Sequence, residues 1–257
     1  MNDRPDSLDT LIHAARQVVQ TERGLAGSEI PMNLNPLPPL QARAASQADL
    51  ATGDQTPVVK GDMPTEEKAR LLNEMDVNEV RGCTKCRLCQ ARTQTVFGDG
   101  YANADLMFIG EGPGADEDAQ GKPFVGRAGQ LLTKMIVAMG LSREQVYIAN
   151  VVKCRPPENR PPQPDEAQAC WSYLERQIRI IQPRVIVVLG NAASKALLHT
   201  ETGITRLRGQ WQELWGIPVM PTFHPAYLLR QHTEENRRKV WSDLQAAMAK
   251  LGINKKD

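Results

Sequence analysis

No run of eighteen apolar residues occurs in the sequence, which excludes a hydrophobic helix able to cross a bilayer. The first residues carry Asp3, Asp6 and Asp9 and no apolar stretch, so no secretory leader is expected. Neither sign of charge dominates: 31 Lys/Arg against 30 Asp/Glu leave a net charge of +1, which alone marks no partner. Aromatic residues are scarce, with four phenylalanines in 257 residues, so an aromatic in a loop stands out. No internal repeat is evident. Cysteine is also sparing. Five is an odd number, and without an export signal it favours metal binding or reactive thiols over a disulfide framework.

What is present divides unevenly. Leu8, Leu11, Ile12, Ala15, Val18 and Val19 share one helical face within 6–24, and from about Gly27 to Pro64 the composition turns to Pro, Gln, Ala, Gly and Asn. Residues 1–65 are therefore expected to form a flexible extension with a short amphipathic helix, a candidate seat for a protein partner, and 66–257 a single folded domain. The extension holds five Lys/Arg and eight Asp/Glu, leaving 26 and 22 for the domain, a mild basic bias compatible with nucleic acid. Strands are expected at Leu106–Ile109, Val146–Val152, Val185–Leu189 and Ile217–Thr222. Helices follow at about Ala128–Met139, Asp165–Ile181, Ala192–His199 and Glu234–Leu251, after a first helical run from Thr65 to about Val80. On the Ala128–Met139 helix, Gln130, Leu131, Met135 and Met139 are placed on the inward face, with Gly140 as its stop. Short β-branched runs alternating with helices give an α/β fold, a three-layer α/β/α sandwich on a central four-stranded parallel sheet.

The loop after the first strand, Gly110-Glu111-Gly112-Pro113-Gly114, is too rich in glycine and proline to pack a core. In such folds, ligands bind outside the carboxyl ends of the strands. Four carboxylates (Glu111, Asp116, Glu117, Asp118) and the aromatic Phe124 follow; Asp116 and Asp118 read as solvated. Elsewhere, Cys83-x-x-Cys86-x-x-Cys89 overlaps two Cys-x-x-Cys pairs, with Cys154 and Cys170 further on. Four thiolates gathered together suit zinc or an iron–sulfur cluster, and spacing decides neither the metal nor which of Cys86 and Cys89 is spare.

Taken together, Gly110-Glu111-Gly112-Pro113-Gly114, Pro123-Phe124-Val125-Gly126, Asn150-Val151-Val152-Lys153-Cys154-Arg155-Pro156-Pro157-Glu158-Asn159-Arg160 and His224-Pro225-Ala226-Tyr227-Leu228-Leu229-Arg230 resemble the family 4 uracil-DNA glycosylases over about residues 80–250. The resemblance implies a uracil-DNA glycosylase fold and a [4Fe-4S] cluster on Cys83, Cys86, Cys154 and Cys170, with Cys89 spare. It implies hydrolysis of the N-glycosidic bond of uracil in single- or double-stranded DNA; a monomer is expected, and the lack of an export signal places it in the cytoplasm among the nucleoid DNA.

Such an enzyme must hold an extruded base in a snug pocket. Gly110, Glu111 and Gly112 would line it and Phe124 would stack on the base. Asn150 offers an acceptor and a donor, which match uracil N3–H and O4 and oppose the pattern of cytosine. By the resemblance His224 donates to O2 of the leaving base, while Glu111, Glu117 and Asn159 are the groups for water or sugar. Tyr227, Leu228, Leu229 and Arg230 resemble a loop that enters the duplex, and Arg155, Arg160, Arg206 and Arg208 are expected on phosphates. A related glycosylase branch traps DNA covalently through a histidine in a loop near this segment; no histidine lies between 200 and 223 here, so by the resemblance hydrolytic turnover is expected. A cysteine–metal DNA-binding module would have no need of the four pocket residues together, and a hydrolase of free nucleosides no need of an intercalating loop.

Overall fold

In the computed structural model, residues 56–253 are described. The expected helix at 6–24 lies outside them. So does the expected tether up to residue 55. Its last part, 56–64, is laid against the body instead. The Val58 N–H donates to Trp215 O at 2.8 Å, the Gly61 N–H donates to Gln182 Oε1 at 3.1 Å, and Lys60 pairs with Asp105. The body therefore starts before Thr65, because this polar stretch finds backbone and side-chain partners that its composition does not reveal.

The chain continues with α1 (Thr65–Met75), prolonged by a wider turn (Asp76–Val80). Then come β1 (Asp99–Gly100), β2 (Leu106–Gly110), α2 (Ala115–Gln120), α3 (Arg127–Ala138), β3 (Tyr147–Asn150), α4 (Pro164–Ile181), β4 (Val185–Leu189) and α5 (Asn191–Leu198). It ends with α6 (Ile204–Leu207), β5 (Gln212–Leu214), β6 (Ile217–Thr222), α7 (Pro225–Arg230) and α8 (Glu234–Leu251). The sheet order is β1-β3-β2-β4-β6-β5. The inner four strands run parallel and are the four expected ones; β1 and β5 add short antiparallel edges. Both edges are too brief and polar to read as strands.

Alternation along each strand feeds two cores. Met107, Ile109, Ile186, Val188 and Val219 face α1, α4 and α5, while Leu106, Phe108, Val185, Val187 and Met220 face α3, α7 and α8. All five residues of β2 and of β4 are buried, as a sheet covered on both faces requires. The inward face of α3 differs by one position from the expected one. Gly129, Leu132 and Ile136 are buried there with Met139, while Leu131 and Met135 are half-buried and Gln130 is exposed. Gly140, at φ 79°, ends that helix as expected.

The chain leaves β2 for β3 on one side and then β4 on the other, so the order reverses between β2 and β4. At such a switch point the loops diverge and open a crevice.

Candidate active site

A cleft of about 750 Å³ lies at the carboxyl ends of the four parallel strands. Glu111 and Gly112 follow β2, Asn150 ends β3, Gly190 and Asn191 follow β4, and Phe223 and His224 follow β6; all line it. Strand register sets the innermost pair, because Gly110 lies opposite Asn150 across β2 and β3. A Cβ on Gly110 would stand 2.4 Å from Asn150 Oδ1 and 2.5 Å from Phe124 Cζ, so only glycine lets these two side chains meet there.

Asn150 is 1% exposed and its Oδ1 has no hydrogen-bond partner. A buried amide oxygen left unpaired costs roughly 1–3 kcal/mol, and the residue that carries it lines the cleft. The Phe124 ring packs against Gly110, with its centroid 5.5 Å from that of His224. His224 Nδ1 accepts the Ala226 N–H at 3.1 Å, so the ring proton belongs on Nε2. Burial, aided by the Arg230 charge, lowers the His224 pKa to about 4. The imidazole is thus a neutral donor at neutral pH. Burial raises the pKa of Glu111, whose carboxylate makes no hydrogen bond or ion pair among the described residues.

Other expected site residues are engaged elsewhere. Glu117 Oε1 accepts the Val125 and Gly126 N–H groups, both at 2.9 Å, and its Oε2 accepts from the Gly114 N–H at 3.1 Å. It binds two site loops together. Asp118 is buried, not solvated, because it accepts the Thr93 N–H at 2.9 Å and 3.0 Å; Asp116 is exposed as expected. Asn159 lines the cleft with its Oδ1 taking the Arg155 Nε–H at 2.8 Å. Arg160 also lines it, yet is bidentate to the buried Glu166 at 2.8 Å and 2.6 Å, bracing the start of α4. Arg208 departs furthest from expectation. Its guanidinium holds Asp243 and the Lys239 carbonyl, and Asp243 accepts from Thr222, so this arginine joins α8 to the end of β6. Arg206 is exposed.

On α7 the expected wedge divides in two. Leu228 is 4% exposed and belongs to the core beside α3 and α8. Leu229 is half-buried, Arg230 is exposed, and Tyr227 stacks on Phe223 with ring centroids 4.8 Å apart. The helical turn explains the split: one of two consecutive leucines must face inward. Gly190 and Asn191 also line the cleft and were not singled out from the sequence, although the strand-end rule that marked Gly110 applies equally after Leu189.

All five cysteines line a second, small cavity behind β3. Three cations, Lys85, Arg92 and Lys153, also line it. Arg92 donates to Cys154 Sγ at 3.1 Å and to the Arg81 carbonyl. Lys153 is fully buried, donates to Asn150 O at 2.8 Å and Gln177 Oε1 at 2.5 Å, and its backbone N–H donates to Cys170 Sγ at 3.3 Å. Burial lowers the Lys153 pKa to about 8 while the Cys170 sulfur opposes that shift, and burial raises Cys170 to about 11. Such surroundings suit an anionic group held by the sulfurs. Among the described residues no group of three His, Cys, Asp or Glu is arranged to hold a single metal ion.

Three strand ends and the loop between α2 and α3 thus bring an unpaired amide, a neutral imidazole, a desolvated carboxylate and an aromatic ring to one cleft on a doubly covered parallel sheet. The chain belongs to the uracil DNA glycosylase superfamily, whose family model matches residues 97–245. Within it the chain is similar to the type-4 uracil-DNA glycosylase of Thermotoga maritima, 48% identical over 180 residues that cover 68% of this chain and 93% of the relative. The type-4 uracil-DNA glycosylase of Sulfurisphaera tokodaii is 48% identical over 177 residues, covering 63% of this chain and 80% of the relative. The type-5 uracil-DNA glycosylase of Pyrobaculum aerophilum is 32% identical over 146 residues, covering 50% and 64%. No described helix is long and apolar enough to cross a membrane.

Proposed function

We propose that this protein removes uracil from single- or double-stranded DNA by hydrolysing its N-glycosidic bond, leaving an abasic site. The observation that carries this reading is the buried, unpaired Asn150 Oδ1 at the strand end. Uracil N3–H satisfies that acceptor and uracil O4 takes the amide N–H, whereas cytosine presents a lone pair and an amino group and leaves both amide atoms unmatched. The extruded base stacks on Phe124. As the glycosidic bond lengthens, charge collects on the base, and the neutral His224 donates Nε2–H to O2. A preorganised donor of this kind is typically worth about 3 kcal/mol. Glu111 faces the sugar side with Gly110 and Gly112, where its carboxylate positions the water and stabilises the cationic sugar. Asn159 assists from the opposite wall, while Glu117 acts through the loops it binds. Arg155, Arg206, Arg230 and the free edge of Arg160 meet phosphates, and Tyr227 with Leu229 fills the gap left by the base.

Cys83, Cys86, Cys154 and Cys170 hold a [4Fe-4S] cluster, as the family resemblance implies, with Cys89 spare. When bound, the cluster supplies a covalent cross-link that fixes the Cys83–Cys89 loop to the β3–α4 segment.

One preparation tests both parts. Iron, acid-labile sulfide and zinc are quantified beside uracil release from an oligonucleotide with one uracil. Iron near four per chain and uracil release with no cytosine release are expected. An iron-loaded protein that releases no uracil overturns the enzymatic reading, and one zinc with no iron overturns the cluster alone.

A further inference from the structure

Phe124 has a positive φ of 53°, a conformation that non-glycine residues seldom adopt. Two opposite charges, one on each side, hold its loop there. The Arg143 guanidinium donates to two successive carbonyls, from Nη1 to Phe124 O at 2.9 Å and from Nη2 to Pro123 O. The next two amides, Val125 and Gly126, converge on Glu117. The peptide joining Phe124 to Val125 is thus gripped at its oxygen by an arginine and at its nitrogen by a carboxylate. Gly129 backs this arrangement, since a Cβ there would stand 1.9 Å from Phe124 O.

Arg143 lies in the short turn Arg143–Gln145 that leads into β3, the strand ending at Asn150, and it is not among the residues lining the cleft. Asp99 approaches the far side of its guanidinium at 3.9 Å, which leaves the fork free for the two carbonyls. We propose that Arg143 is a positioning residue for uracil excision, fixing the angle at which the Phe124 ring meets the flipped base. The ring is buried against Gly110 and beside His224 at the cleft wall, and the backbone conformation that delivers it there is the unusual one. Arg143 therefore ties the stacking surface and the recognition amide to one rigid segment. This inference rests on the uracil-excision reading.

The test compares wild type, Arg143→Gln, Arg143→Lys, Phe124→Ala and the Phe124→Ala/Arg143→Gln double variant. Single-turnover excision, inhibition by free uracil, binding to an oligonucleotide with an abasic-site analogue, and thermal melting are measured on each. Arg143→Gln is expected to lower the excision rate by about 10²-fold and to weaken uracil inhibition in step. Binding of the abasic oligonucleotide should stay near wild type, because the phosphate contacts do not involve this loop. Arg143→Lys, which can reach one carbonyl but lacks the fork, should fall between. In the Phe124→Ala background, Arg143→Gln should cause no further loss, the mark of a residue acting through another. Losses that multiply in the double variant overturn the proposal, as does a folded Arg143→Gln protein with unchanged uracil inhibition. If Arg143→Gln does not fold, the lysine variant decides by the same two readouts. A wild-type protein that releases no uracil is a failure of the underlying reading, not of the role of Arg143.

Discussion

At the scale of single residues, the two titratable groups of the cleft have opposite protonation logic. His224 has a folded pKa of about 4, below the ordinary histidine value, so in the native protein it stays neutral while the unfolded chain would already be charged. Its contribution to stability is therefore unperturbed above pH ~6.5 and turns unfavourable as pH falls toward 4. Excision should not lose its donor in that window. Glu111 is raised by burial, so its carboxylate is lost on acidification earlier than an ordinary one. The acid limb of the pH–rate profile should accordingly belong to Glu111. Single-turnover rates from pH 4.5 to 8 check this: Glu111→Gln should flatten the limb. His224→Ala should lower the plateau by about 10²–10³-fold without moving the limb. A limb that survives Glu111→Gln excludes that carboxylate as its origin.

At the scale of elements, α7 offers the sharpest contrast, since adjacent leucines have different neighbours. Leu228→Ala should cost roughly 2–5 kcal/mol of stability, as truncation in a packed core does, seen as a lowered denaturation midpoint. Leu229→Ala should leave that midpoint near wild type and slow excision from duplex more than from single-stranded DNA, because only the duplex has a gap to fill. Helix periodicity alone would have divided this pair once a neighbouring core was known. The sequence shows no neighbour, so both read as wedge. The same limit explains Arg208 and Arg160, which read as surface cations until Asp243 and Glu166 are seen beneath them. By contrast the glycine-rich loop after β2 was legible from local signals, and Asn150 and His224 from the family resemblance; Glu111, Gly112, Asn150 and His224 line the cleft, whereas Gly110 lies behind Asn150 and Phe124. Phe124 was legible as a loop aromatic, while its clamp was not: Arg143 and Glu117 are separated from it by nineteen and seven positions in the chain, with no motif linking them.

For the molecule as a whole, the stretch that matches the uracil DNA glycosylase family is residues 97–245. Removal of residues 1–55 should therefore leave excision on short oligonucleotides within twofold of the full chain. Removal of residues 1–64 also deletes the contacts of Val58, Lys60 and Gly61. At roughly 1 kcal/mol for each net hydrogen bond and about 2–4 °C per kcal/mol, the melting temperature should fall by several degrees in the shorter protein only. Excision rates and calorimetric melting of both truncations distinguish the outcomes.

The pairing of Gly110 with Asn150 across β2 and β3 carries a consequence for error. Successive positions of a strand point to opposite faces, so a slip of one residue would put Ala149 or Val151 where the amide now stands. Neither can tell a lactam from an amidine. If Asn150 reads the base as proposed, the distinction between a base to be removed and one to be spared is held as an alignment of two strands, fixed by the same backbone bonds and apolar faces that make the sheet. Fidelity in this molecule is a mechanical property before it is a chemical one.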